Sequence, residues 1–221
     1  MKVHTFVIGC ALALALFLFG KQRHADSIPS GFRSVVDLTQ SVDLVDPSRV
    51  QHAKAAATQG TYIEAPAQYS PALWTVDRIP PGRLIAPLVV LDVRDSVRNN
   101  PNHRISVEDI ANWEHVHGQI PMDSIAIART GIAPSARDGK FPGYSEDATK
   151  FLVEARNVLA LGADTRSVGL SDPYSLSHSV YHLDNVANLD QVPGNGAVIV
   201  VSPMKLEGRT AGPARVLALV R

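Results

Sequence analysis

Apolar positions along this chain change period several times. Phe32-Arg-Ser-Val-Val-Asp-Leu38 alternates well enough for a first strand. Leu84 to Val93 contains Leu88-Val-Val-Leu-Asp-Val93, a nearly continuous run typical of a strand buried on both faces. Helical spacing takes over after Ser106, which with Asp109 makes a capping-box start. Ile110, Trp113 and His117 then share one face, and Gly118 closes the helix. Ile125 to Ala128 reads as a short buried strand. Ser145 caps a second helix, acidic in its first turn at Glu146 and Asp147. Its apolar stripe runs through Phe151, Leu152, Ala155, Val158 and Leu159, and the helix is expected to end at Gly162. Val180–Leu183, Ala197–Val201 and Arg215–Val220 read as closing strands. Mixed strands and helices in this order predict an α/β or α+β domain.

One polar row stands apart from this apolar scheme. In an extended segment alternate side chains face the same way, and Thr58, Tyr62, Glu64 and Gln68 are all separated by even numbers of residues. One face of such a strand carries all four, and Gly60 and Pro66 are places where it can bend or stop. A polar row of this kind is either a solvated face or a site, and spacing alone leaves both open.

Composition narrows the partners. The chain has 221 residues, 45% hydrophobic content, and 21 basic against 21 acidic side chains. That suits one globular domain with a sizeable core and gives no electrostatic footprint for nucleic acid. Lys2 followed by an apolar run from Phe6 to Phe19 reads as a targeting segment, shorter than a comfortable membrane span. Residues 1–25 are therefore expected to be an export signal, with a membrane anchor as the alternative. Residues 26–31 form a linker and 32–221 the domain. Cys10, the only cysteine, lies in the targeting segment, so the mature chain has neither a disulfide nor a thiol nucleophile. His178 and His182, four apart, could face one way on a strand but lack a neighbouring third ligand, and packing or surface roles are the expectation. Arg129-Thr130 at a strand end suits either a structural or a pocket role. Ser-His-Asp catalysis is not expected, because no Gly-x-Ser-x-Gly elbow is present.

The stretch Thr58-Gln-Gly-Thr-Tyr-Ile-Glu-Ala-Pro-Ala-Gln-Tyr69 resembles the His-x-Gly-Thr-His-x-Asp-x-Pro-x-His signature of the cyclase family of metal-dependent hydrolases, which includes kynurenine formamidases and isatin hydrolases. Gly60, Thr61, Ala65 and Pro66 keep the frame. Thr58, Tyr62, Glu64 and Gln68 stand at the signature's His, His, Asp and His. Phe141-Pro-Gly-Tyr-Ser145, Val186-Ala-Asn-Leu-Asp-Gln191 and Pro203-Met-Lys-Leu-Glu-Gly208 are similar to further family segments in the same order.

The resemblance implies a swivelling β/β/α domain, a mixed barrel-like sheet flanked by helices, that assembles as a homo-oligomer. It also implies amide hydrolysis of a small aryl amide by a metal-activated water, arylformamidase-like, as in tryptophan catabolism to kynurenine. Zinc or manganese is the family cofactor. The ligand positions fall on Thr58, Tyr62, Glu64, Gln68, Asp172 and Asp184, all substituted, so the metal is expected to be lost or weakly held. Gln68 stands at the position of a catalytic His, where an amide cannot titrate. Oxygen donors without imidazole suit magnesium, calcium or manganese better than zinc. The competing expectation is a non-catalytic binding or interaction protein on the same scaffold.

Overall fold

The computed structural model describes residues 28–41, 60–132, 142–168 and 173–221. The targeting segment with Cys10, Thr58 and Asp172 lie outside the described residues. Ser34–Arg221 forms one compact unit.

Strands β1 (Ser34–Asp37), β2 (Tyr62–Glu64), β3 (Ile85–Asp92), β5 (Ile125–Arg129), β7 (Ala160–Ala163), β8 (Tyr181–Asp184), β9 (Ala197–Pro203) and β10 (Ala211–Val220) make the main sheet. Its order is β1-β10-β2-β8-β7-β5-β3-β9. β10 is long enough to close it: one edge pairs with β9 over Ala214–Leu219, while the other takes β2 at Ala211–Pro213 and β1 at Leu217–Val220. Seven strands thus form a closed mixed barrel, with β1 added outside the ring. β3, β5, β7 and β8 run parallel, so their carboxyl ends share one rim.

Side-chain alternation splits the core in two. Leu88, Val90, Ile125, Ile127, Tyr181, Leu183, Ile199 and Val216 fill the lumen. Val89, Leu91, Ala126, Ala128 and Leu161 point outward beneath the helices. This explains the continuous apolar run of β3, since a strand buried on both faces has no polar side. Gly162 on β7 is needed for close approach, because a Cβ there would sit 3.0 Å from the Leu183 carbonyl oxygen and 3.2 Å from Ile127.

The helices are α1 (Arg94–Asn99), α2 (Val107–His117), α3 (Glu146–Arg156) and α4 (Pro173–Ser177); β4 (Arg104–Ile105) and β6 (Gly143–Tyr144) form a small second sheet. Ser106 accepts from the Asp109 N–H at 3.1 Å while the Asp109 carboxylate accepts from the Ser106 N–H at 2.7 Å, the reciprocal cap expected from sequence. Trp113 anchors α2 to the sheet by donating its indole N–H to the Val90 carbonyl at 2.8 Å.

One expectation is corrected here, and the possibility of a shared strand for His178 and His182 is closed. Helix α3 ends earlier than Gly162: Asn157 adopts the left-handed conformation (φ 49°, ψ 41°) and stops it after Arg156. Leu159 precedes the short strand β7, and Gly162 lies within it. His178 is not on a strand with His182; it follows α4, exposed and stacked on Tyr174 at a centroid distance of 4.2 Å.

Candidate functional site

The site begins with what holds β2 against β8. Thr61 is buried, and its hydroxyl accepts from the Gln40 N–H at 2.7 Å and donates to the Asn185 carbonyl at 2.6 Å. Asn185 adopts a left-handed conformation (φ 54°), donates its side-chain amide to the Gly60 carbonyl at 3.0 Å, and bonds its N–H to Thr165 at 2.7 Å. Asparagine tolerates this backbone region better than most residues. The Gly60-Thr61 and Asp184-Asn185 corners are therefore locked together, and the register of the two strands follows from that lock.

In this register Tyr62 lies opposite Asp184 and Glu64 opposite His182. Ile63 and Leu183 between them point into the lumen core, so the other four side chains form a polar square on the outer face. The Tyr62 hydroxyl donates to the Arg166 carbonyl at 2.9 Å and also faces the Asp184 carboxyl. His182 is 4% exposed; its Nε2 lies 2.7 Å from Ser175 Oγ on α4, and its Nδ1 lies 3.7 Å from Glu64 Oε2.

Asp184 is the least comfortable member. It is 1% exposed, and its Oδ1 has no hydrogen-bond partner among the described residues. Burial pushes its carboxyl well above the usual carboxylate range, and the Glu64 charge nearby adds to that. Burial likewise raises the Tyr62 phenol, with Asp184 and Glu64 adding to it.

The polar row is thus only partly as the spacing predicts. Tyr62 and Glu64 share a face, but Pro66 starts a single 3-10 turn over Pro66–Gln68, and Gln68 ends exposed to solvent. Tyr62, Glu64 and Asp184 are brought together. His182, given a packing role from sequence, stands inside the square. Its spacing two residues before Asp184 is the signal that could have found it, since positions i and i+2 of a strand share a face. A cleft of about 370 Å³ is lined by Thr39, Gln40, Gly60, Thr61 and Arg215, and none of the four side chains of the square lines it.

The donor chemistry at these positions is oxygen-rich. A buried carboxylate oxygen without a donor, next to a second carboxylate, fits a hard divalent cation in kind; the signature positions offer no imidazole for zinc. Among the described residues no three His, Cys, Asp or Glu side chains converge closely enough to hold an ion by themselves. Arg129 and Thr130 serve the frame: Arg129 approaches Asp92 at 3.4 Å, and Thr130 is held by Asp164 through its N–H and hydroxyl.

A family model described as "Putative cyclase" matches residues 22–169, more than half of the chain. The chain belongs to the cyclase family. Isatin hydrolase of Roseibium aggregatum is 30% identical over 188 residues, covering 73% of this chain and 71% of that protein. Isatin hydrolase A from Ralstonia solanacearum superposes with a TM-score of 0.72 at 29% identity, covering 97% of both chains. A structure described as a potential metal-dependent hydrolase with cyclase activity shares the cyclase fold at 23% identity and a TM-score of 0.65, covering 85% of this chain and 98% of that one. The expected barrel-like architecture and the family resemblance are both borne out.

Proposed function

We propose that this cyclase-family chain is a carbon–nitrogen hydrolase for small aryl amides, of the isatin or N-formylkynurenine type, with a rebuilt metal centre that takes a hard divalent cation in place of zinc. The observation that carries this reading is Asp184 Oδ1, buried without a hydrogen-bond donor beside Glu64. A buried carboxylate oxygen left without a partner costs about 1–3 kcal/mol, a cost that a bound cation would offset. Relatives that hydrolyse isatin support the substrate class.

In this reading Glu64 and Asp184 hold the ion; the family ligand positions Thr58 and Asp172 lie outside the described residues. A divalent ion there would polarise the amide carbonyl and lower the pKa of a nearby water. Tyr62 donates its hydroxyl to the Arg166 carbonyl, also bonds the Asp184 carboxyl, and so walls the site. Gln68 takes no part in proton transfer, being exposed and without a titrating group.

The test is hydrolysis of isatin and of N-formylkynurenine by purified protein, stripped with chelator and then supplied with Mn2+. Turnover of at least one substrate is expected with Mn2+ and not after stripping. Absence of turnover for both, with Mn2+ bound, would favour the second reading: a non-catalytic binding protein on the same scaffold. The exposure of Gln68 and the lack of three convergent acidic or imidazole side chains among the described residues favour that alternative.

A further inference from the structure

We propose that the outer face of β1, β10, β9 and β3 is a docking surface for a second copy of this chain. These strands lie side by side and antiparallel in the sheet. Their registers place Val35, Leu219, Val198 and Pro87 in one cross-strand row and Asp37, Leu217, Val200 and Ile85 in another. The row between them, Val36, Ala218, Ile199 and Ala86, belongs to the lumen core, so both flanking rows face outward.

An antiparallel sheet with one face on its core and the other in water normally carries polar side chains outside. Here every outward member of the two rows except Asp37 is apolar. Among the described residues no helix covers them: the helices pack on Val89, Leu91 and the outward side of β5 and β7, and none of these seven apolar side chains belongs to that cluster. Val35 is 42% and Ile85 58% exposed.

Charge and size point to the occupant. Arg215 and Asp37 pair at one corner of the face, 2.8 Å apart, so both signs stand together there and the centre carries neither. Such a face gives a charged partner little to recognise, whereas two copies meet on it without opposing like charges at the centre. Interfaces between identical subunits are also the more apolar class. At about 4.8 Å between strands and 3.4 Å per residue, four strands over six residues span roughly 19 Å by 20 Å, about half of the ~800 Å² that a stable complex takes from each partner. Asp37, Arg215 and Ser202 border that apolar centre, as the polar rim of an interface does. A face that meets its own copy closes as a two-fold dimer.

Sedimentation equilibrium of the full chain tests the docking without reference to turnover or metal. At micromolar concentration the wild type should have about twice the 23.8 kDa mass of one chain. Val35→Glu and Ile85→Glu each bring like charges together across the docked faces and should raise the dissociation constant at least about 100-fold. Both side chains are exposed in the single chain, so neither substitution disturbs the core. Val116→Glu, at an apolar position 73% exposed on α2, should leave the mass unchanged. A wild type of one-chain mass throughout the micromolar range would overturn the proposal. So would a dimer that either face variant leaves intact, since assembly would then run through another surface, or a dimer that Val116→Glu disperses equally.

Discussion

Two aspartates end neighbouring parallel strands, Asp164 half-buried and Asp184 buried, and their surroundings differ. Asp164, just beyond β7, gathers the Thr130 N–H at 3.0 Å, the Thr130 hydroxyl, and the Gly131 N–H at 2.9 Å. Asp184, the last residue of β8, leaves Oδ1 with nothing among the described residues. Burial raises both carboxyls above the ordinary range, and hydrogen bonds pull back against it at both, from Thr130 and Gly131 at Asp164 and from Tyr62 and the Val168 backbone at Asp184. The difference is one oxygen: Asp164 engages both of its oxygens in holding a strand end, whereas Asp184 leaves Oδ1 without a donor among the described residues. A buried acid is informative only once its donors have been counted.

Removing each carboxylate should expose this contrast. Asp164→Ala leaves the buried Thr130 N–H and hydroxyl without an acceptor, and the protein should lose about 2–4 kcal/mol in urea unfolding. A loss under about 1 kcal/mol would break the comparison, since Asp164 would then be no more structural than its neighbour.

Asp184→Asn should be mild in the ion-free protein, within about 1 kcal/mol, because an amide of the same shape replaces a carboxyl that burial already favours as neutral. Its consequence should appear with the ion. At Mn2+ a hundredfold above Kd, wild type gains about 2.7 kcal/mol by mass action, and the variant should gain much less. Equal gains in thermal unfolding would place the ion elsewhere.

Local signals in the sequence reach the frame of the molecule and stop at its cross-strand pairing. The capping box at Ser106 and Asp109 and the doubly buried run of β3 follow from a few neighbouring residues, and both are found as expected. The α3–β7 junction is harder: Val158, Leu159 and Gly162 continue an apolar spacing, while the actual stop is one left-handed residue, Asn157. α1 and α4, of six and five residues, are too short for a helical period to register. At the site, parity places Tyr62 and Glu64 on one face, and Pro66 removes Gln68 from it. His182 belongs to the site only through the β2–β8 register, which is set by Thr61 and Asn185 across 124 residues of chain. No local pattern carries that pairing.

Equilibrium dialysis of the purified chain against Mn2+ and, separately, Zn2+, followed by elemental analysis, tests the rebuilt centre most directly. On the proposed reading, the oxygen donors of Glu64 and Asp184 predict about one Mn2+ per chain and far less than one Zn2+. Stoichiometric zinc, or no manganese at millimolar concentration, would contradict it.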